Sequence, residues 1–458
     1  MVATGHKTEL AALDRIIAAE TDRFRDRMKT SADFASRAGV NLAGGVTSSW
    51  QISDPHPIWI DRGQGSKVFD VDGHQYIDFH GGYGAMLAGH AHPAIVRAVK
   101  DRVGQGTHFA QPVPDALLVA QQLAQRYGLP LWRFGNSGTE ATMDAVHLMR
   151  AITGRDLLIK FEGAYHGHHD SVQVSTWVED DLGAARRPDS VAASAGIPSA
   201  IVSLTKVAPF NDLEAVEAIF ADHPGQIAGI IVEPVLMNCG IVPPFPGFLQ
   251  GLRDLTRAHG SLLAYDEVKT GLTLGKGGAT RLFGVTPDIV CLAKSLGGGL
   301  PVAALGGSKE VMETIASGRY EQVGTFNGNP LGMAAARAML TEVMIPETYE
   351  HLEQIERHMG DGARTLVEEY ELPAYVVDLG AKGSVTYSKD RVTNYRQFLE
   401  IDGRYALAAW LTQFNRGVFL PPWTKGEQWL VSVQHQAADI DRYLETLEVF
   451  AQMLRGRR

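Results

Sequence analysis

Residues 288–299 read DIVCLAKSLGGG: an acidic turn residue, the apolar run Ile289, Val290, Cys291 and Leu292, then Lys294 and the glycines Gly297 to Gly299. A short apolar run bounded by an acidic residue and a glycine break reads as a buried strand opening into a loop. Lys294 stands where strand becomes loop. A lysine there either snorkels, burying its stem and keeping its ammonium group in water, or is desolvated into a near-neutral amine that can attack a carbonyl. A Walker-type phosphate loop fits poorly, because Lys294 and Ser295 lack the glycine-rich lead-in.

Outward from this stretch the pattern repeats. Residues 157–161 (LLIKF), 227–234 (IAGIIVEP), 262–268 (LLAYDEV) and 303–308 (AALGGS) are strand-sized apolar runs, whereas 213–223 (LEAVEAIFADH) and 247–260 (GFLQGLRDLTRAHG) have helical spacing. Strands without polar alternation need cover on both faces, so the alternation predicts an α/β fold with a mostly parallel central sheet and helices on both faces. Ligands of such sheets sit at the carboxyl ends of the strands. This large α/β domain is expected over residues 81–328.

The flanks read differently. Residues 1–80 contain a helix over about 8–30, a Gly/Ser-rich loop over 39–50, and hairpin-like pieces in which GSKVFDVDGHQYIDF (65–79) alternates around the turn signal Asp72-Gly73. Residues 329–458 open with two helical segments (330–344 and 347–370) and continue as α+β. The two flanks together are expected to build a smaller α+β domain. Residues 168–198, rich in Asp, Arg, Ser and Ala and weakly periodic, read as a mobile surface loop between core strands.

Composition narrows the function classes. With 45% hydrophobic and 21% charged residues the chain is an ordinary globular protein. Its net charge of -10, from 42 basic and 52 acidic residues, argues against nucleic acid as a partner while leaving a small anionic ligand open. Two cysteines, Cys239 and Cys291, make neither a disulfide framework nor a thiolate metal cluster. The amino-terminal segment is charged and helix-patterned, and no apolar run approaches ~18 residues, so a cytoplasmic protein without a membrane partner is expected.

Four further motifs carry chemistry. NSGTEA (136–141) precedes a helical stretch, so Ser137, Gly138 and Thr139 fall at a helix N-terminus, either as a phosphate seat or as a plain Ser-x-x-Glu cap. In LLAYDEV, Asp266 ends an apolar strand, where a carboxylate needs a cationic partner such as a protonated pyridine nitrogen, or else caps the next turn. EGAYHGHHD (162–170) sets Tyr165 just after a strand, where its ring can stack on an aromatic ligand, and its His166, His168, His169 and Asp170 also admit a metal reading. GTFNGNP (324–330) offers the Thr325 hydroxyl in a glycine-framed loop.

Together these motifs resemble the class III aminotransferases, fold type I enzymes that use pyridoxal 5′-phosphate, and most resemble the glutamate-1-semialdehyde aminomutase-like branch. GGVTSS, DVDGHQYIDF, GHAHP, NSGTEAT, YHGHHD, PFND, DEVKTG, AKSLGGG and GTFNGNP occur in family order from about residue 44 to 432. The resemblance implies that Lys294 forms the internal aldimine and shuttles the proton, Asp266 pairs with the pyridinium nitrogen, Tyr165 stacks on one ring face and Val268 packs on the other. It further implies that Ser137, Gly138 and Thr139 bind the phosphate, that Thr325 reaches in from the second subunit of a homodimer with shared active sites, and that Asn211 and Glu233 line the cofactor pocket.

For the substrate, the resemblance implies Ser48, Tyr83 and Glu427, and Trp50 and Trp423 suggest an aromatic-lined entrance. Two expected arginines are missing. Semialdehyde aminomutases carry one where this chain has Gln51, and aromatic β-amino-acid aminotransferases carry one at the position of Ser49. A neutral amide replaces neither the charge nor the fork of a guanidinium. Lys269 stands where relatives have an uncharged residue. Arg186 and Arg187 either close over an acidic substrate or are solvated loop charges. The resemblance implies a pyridoxal-phosphate-dependent aminotransferase working between an amine or amino acid donor and an oxo acceptor through pyridoxamine phosphate. An intramolecular aminomutase and an ammonia-lyase or β-elimination enzyme acting on an amino alcohol derivative are the alternatives.

Overall fold

The computed structural model describes residues 2–422 and 425–456. By contact density the chain forms two compact units. The larger comprises residues 93–349 and 392–400. Its sheet has seven strands: β1 (Leu131–Gly135), β2 (Leu157–Phe161), β3 (Thr205–Ala208), β4 (Ile227–Val232), β5 (Leu262–Asp266), β6 (Ile289–Leu292) and β7 (Ala303–Gly307). They lie in the order β1-β7-β6-β5-β4-β2-β3. Neighbours from β6 to β3 are parallel, and β7 alone runs antiparallel to both strands beside it.

Strands β2, β4, β6 and β7 are buried at every position, which is why their sequences are apolar runs, broken by a charged residue only at Lys160 of β2. Helix α1 (Gly138–Thr153) packs on β4, β6 and β7, and its Ala145, Leu148 and Met149 join Leu158, Ile231, Ala264, Ile289 and Leu305 in one core. Gly229 in β4 permits that approach, because a Cβ there would stand 2.3 Å from the Met149 sulfur. Helices α2 (Leu213–Asp222) and α3 (Phe248–Ala258) pack on each other, and α3 covers β4 and β5.

The segment 168–198 is more structured than its weak periodicity suggests. Gly183–Ala184 and Arg187–Pro188 pair as a short hairpin, and Val174 bridges to Ala192. Its ties come from far along the chain. The Arg396 guanidinium donates to the carbonyls of Gly183 (2.7 Å) and Leu182 (2.6 Å) while pairing with Glu162, and the Tyr395 hydroxyl donates to Val178 O (3.0 Å). From beneath, the fully buried Lys160 of β2 donates to Ala164 O (2.9 Å), Val174 O (2.5 Å) and Thr176 Oγ1 (2.7 Å). Arg186 and Arg187, both exposed, pair with acids of or beside α2: Asp212 and Glu214 for the first, Asp222 for the second.

The smaller unit comprises residues 1–92, 350–391 and 401–458. Ile60–Gln64, Lys67–Asp70 and Gln75–Asp78 form an antiparallel meander, turning at Asp72-Gly73 as the sequence predicts, and Val418–Phe419 joins it in parallel. Tyr375–Leu379, Lys382–Thr386 and Gly426–Leu430 make a second, antiparallel sheet. Helices Val2–Arg27, Gly403–Phe414 and Ala437–Arg455 pack together, with Phe24, Trp410 and Phe414 in ring contact. Among the described residues no helix is long and apolar enough to cross a membrane.

Burial pushes the Lys160 ammonium down to about 7, against weaker pulls upward from Glu233, Cys239 and Glu162. Between that pH and the ordinary lysine range the unfolded chain holds a proton that the folded chain has released, so this residue's contribution to stability rises with pH. Urea unfolding of the wild type and Lys160→Met at pH 7 and pH 9 checks this. The stability difference, wild type minus variant, is expected to grow by about 1 to 2 kcal/mol over that interval.

Candidate active site

Three adjacent parallel strands deliver the charged residues. Asp266 is the last residue of β5 and lies in register with Cys291 of β6, and the next N–H, that of Glu267, donates to Cys291 O at 2.9 Å. On the other side Tyr265 is in register with Val232, so Glu233 emerges from β4 beside Asp266. Lys294 follows β6 after one residue, at the start of a short 3-10 turn. Its φ is +46°, a left-handed backbone that a bulky side chain adopts only where its surroundings impose it.

Asp266 is buried, and its Oδ2 lies 2.8 Å from Nδ1 of the buried His166, while its Oδ1 accepts the Val268 N–H at 3.0 Å. The half-buried Lys294 feels two opposed influences. Burial pushes its ammonium down from the ordinary lysine range, and the Asp266 and Glu233 carboxylates pull it back up, leaving it lowered. Glu233 is itself raised, chiefly by burial. Its Oε1 accepts the Tyr165 N–H (2.9 Å) and its Oε2 the Met237 N–H (3.1 Å).

At the N-terminus of α1 the structure shows the capping box. Ser137 caps the helix, Oγ accepting the Glu140 N–H (3.2 Å) and Glu140 accepting the Ser137 N–H in return (3.2 Å). Gly138 and Thr139, as first-turn residues, have no intrahelical acceptor for their N–H groups. Two close approaches bind this turn to the strand ends. A Cβ on Gly138 would stand 2.9 Å from the Val268 side chain, and one on Gly167 (φ +101°) would stand 2.6 Å from Thr139 Oγ1.

Tyr165 stacks on Trp177, ring centroids 5.0 Å apart and planes 1° from parallel, so one face of Tyr165 is covered. The histidines of the same motif disperse. His166 takes Asp266, His168 Nδ1 lies 3.2 Å from Thr139 Oγ1, and His169 Nε2 lies 3.4 Å from Thr142 Oγ1 with its ring pushed down to about 3, mainly by burial. Among the described residues no His, Cys, Asp and Glu side chains gather as a metal site.

Other expected residues lie in loops of the larger unit or in the smaller unit. The Asn211 amide ties loops, donating to Pro243 O (3.2 Å) and Thr393 O (3.1 Å) and accepting from Phe245 N (2.7 Å). Thr325 is exposed, between the exposed apolar side chains of Val323 and Phe326. In the smaller unit Ser48 precedes a 3-10 turn that Gln51 closes, Gln51 Oε1 accepting from Thr47 N (3.1 Å), Thr47 Oγ1 (2.7 Å) and Ser48 N (3.2 Å). There the Tyr83 hydroxyl donates to Trp50 O (3.2 Å) and the two rings meet edge to face. Trp423 and the side chain of Glu427 lie outside the described residues. The sequence reading missed His166 as the partner of Asp266, Trp177 as the partner of Tyr165, and Asn238, whose amide donates to both Glu233 oxygens (3.2 and 3.0 Å).

The family described as Aminotransferase class-III matches residues 49–424. Glutamate-1-semialdehyde 2,1-aminomutase of Aquifex aeolicus (strain VF5) is 38% identical over 411 residues, which are 89% of this chain and 95% of that protein. Among solved structures, an omega-transaminase from Sphaerobacter thermophilus matches with a TM-score of 0.88 at 32% identity, covering 93% of this chain and 98% of that one. A glutamate-1-semialdehyde-aminomutase from Pseudomonas aeruginosa PAO1, in complex with PMP, matches with a TM-score of 0.89 at 30% identity, covering 97% and 99%. With its sequence matched over most of its length and its mostly parallel sheet ending in Glu233, Asp266 and Lys294, the chain belongs to the class III aminotransferase family, of fold type I.

Proposed function

We propose that this chain is a pyridoxal 5′-phosphate-dependent aminotransferase that moves an amino group from an amine or amino acid donor to an oxo acceptor. The observation that carries the reading is the convergence of Glu233, Asp266 and Lys294 at the ends of three adjacent strands, next to the first turn of α1. These residues fit the cofactor's chemistry: an amine lowered by burial, a buried carboxylate oriented by His166, and a helix start rich in donors. When bound, the cofactor supplies an aldehyde that takes up amines and a pyridine ring that draws electrons from the adjoining carbon.

The chain's own residues do the rest. Lys294 is the nucleophilic amine and, once free, the base that lifts a proton from the substrate carbon and redelivers it nearby. Asp266, fixed by the His166 Nδ1 contact and the Val268 N–H, holds a positive charge on the ring nitrogen. Tyr165, backed by Trp177, would offer its other face to the cofactor ring, with Val268 on the opposite side, and Ser137, Gly138 and Thr139 would hold the phosphate at the positive end of α1. Glu233 holds the backbone at Tyr165, and Asn211 acts through the loops it ties. The exposed Val323–Thr325–Phe326 loop is read as the part that reaches a second copy in a homodimer with shared sites.

An intramolecular aminomutase is the second reading, favoured by the names of relatives such as the Aquifex aeolicus protein. Against it stands Gln51, whose side-chain oxygen is engaged in closing its own turn and carries no charge for a substrate carboxylate.

A panel of amines and oxo acids, scored by conversion of the bound cofactor between its aldehyde and amine forms, is the deciding experiment. Label from a nitrogen-labelled external donor is expected in the product. Retention of the substrate's own nitrogen would favour the aminomutase, and ammonia released without an oxo acceptor would favour elimination. Lys294→Ala is expected to lose the visible cofactor band and to lose activity by roughly a thousandfold or more; a variant that keeps both removes Lys294 from the reaction.

Sedimentation is expected to show a dimer, and Thr325→Ala to weaken cofactor binding by about tenfold, as for one hydrogen bond to a charged group. A monomer that binds the cofactor as tightly as the wild type would overturn the role given to Thr325.

A further inference from the structure

The peptide unit that joins Ala164 to Tyr165 is gripped at both ends. Its carbonyl, Ala164 O, accepts from Lys160 Nζ at 2.9 Å and from Thr176 Oγ1 at 3.0 Å, while its N–H, that of Tyr165, donates to Glu233 Oε1 at 2.9 Å. The two jaws come from neighbouring parallel strands, Lys160 from β2 and Glu233 from just beyond the end of β4. Lys160, Ala164, Thr176 and Glu233 are all buried, so turning this peptide plane would leave polar groups unpaired in the interior. The direction in which the Tyr165 side chain leaves the backbone is set by that plane.

The same amine fixes the residue on which Tyr165 stacks. Nζ also donates to Val174 O (2.5 Å) and Thr176 Oγ1 (2.7 Å), so Lys160 holds both Ala164, directly before Tyr165, and Thr176, directly before Trp177. On either side of Thr176 the backbone is strained: Ser175 and Trp177 have φ of +48° and +52°, left-handed values that residues other than glycine keep only under constraint. The flanks of this turn are tied as well, Ser175 O accepting the Gly163 N–H (2.9 Å) and Val178 O the Tyr395 hydroxyl (3.0 Å), and Lys160 holds its centre.

A buried amine is costly to desolvate, and a methionine would fill the same space without that cost. What methionine lacks is the set of donors. All the acceptors of Lys160 Nζ lie in the two segments that carry Tyr165 and Trp177.

We propose that Lys160 is a positioning residue of this site: it joins the segment before Tyr165 to the segment before Trp177 and so sets the plane of the stacked pair that faces the cofactor ring. This role rests on the aminotransferase reading, which puts Tyr165 against that ring.

The test compares wild type, Lys160→Met, Thr176→Val and Val216→Ala. Val216 is buried in α2, and its truncation is the control for lost stability alone. In the cofactor-free proteins, proteolytic cleavage within residues 168–198 is expected to be about tenfold faster in Lys160→Met and within about twofold of wild type in Val216→Ala. Cofactor-loaded Lys160→Met is expected to bind the cofactor about tenfold more weakly and to show about half the wild-type visible circular dichroism per unit of absorbance. Its kcat is expected to fall about tenfold while KM for the amine donor changes less than about threefold. A Lys160→Met protein that folds and matches the wild type in cofactor affinity and dichroism overturns the proposal, as do equal changes in Val216→Ala. If Lys160→Met does not fold, Thr176→Val decides: losing the hydroxyl that bridges Lys160 to Ala164 O is expected to weaken cofactor binding about threefold and to lower the dichroism, and wild-type values overturn the proposal. A wild type that forms no visible band, or a band that survives Lys294→Ala, defeats the aminotransferase reading instead. Proteolysis of the cofactor-free proteins reports on the Lys160 clamp in either case, so the two failures are separable.

Discussion

A carboxylate at the end of an apolar strand is a costly charge to bury, and Asp266 is the constraint around which this site is organised. Its strand is flanked by β4 and β6, which are buried throughout, so compensation can come only from the strand ends and the loops that follow them. His166 supplies a ring nitrogen at 2.8 Å, the Val268 backbone supplies an N–H, and Lys294 supplies an amine within its electrostatic reach. Each comes from a different loop. The parallel register is therefore what turns three separate stretches of sequence into one charged cluster, since a one-residue slip would send alternate side chains to the opposite face.

Five of the seven strands of the larger unit were legible because their physics is local, whereas β1 and β3 were not read from the sequence. Apolar runs such as 157–161 and 227–232 became strands, and the Ser-x-x-Glu spacing at 137–140 became a capping box. The residues that complete the site were not legible locally. His166 showed in the sequence only as part of a histidine-rich motif, because the aspartate that it meets lies a hundred residues further on. Trp177 and the hairpin around residues 183–188 fell in a stretch with no useful periodicity. What orders that stretch is Lys160 beneath it and Arg396 from beyond the last strand of the sheet, and neither leaves a mark on the segment's own pattern.

Asn211 and Gln51 show why a matched motif is not yet a role. Both are polar side chains in segments that resemble the family's pocket, and both have their amides engaged, Asn211 by the backbone of distant loops and Gln51 within its own turn. For Gln51 the consequence is chemical as well as structural. Its oxygen accepts three hydrogen bonds that close one turn, a task that an arginine, which has donors only, could not perform. The change from guanidinium to amide thus removes a charge for binding anions and adds a local tie, and the turn at residues 48–51 is built around the amide.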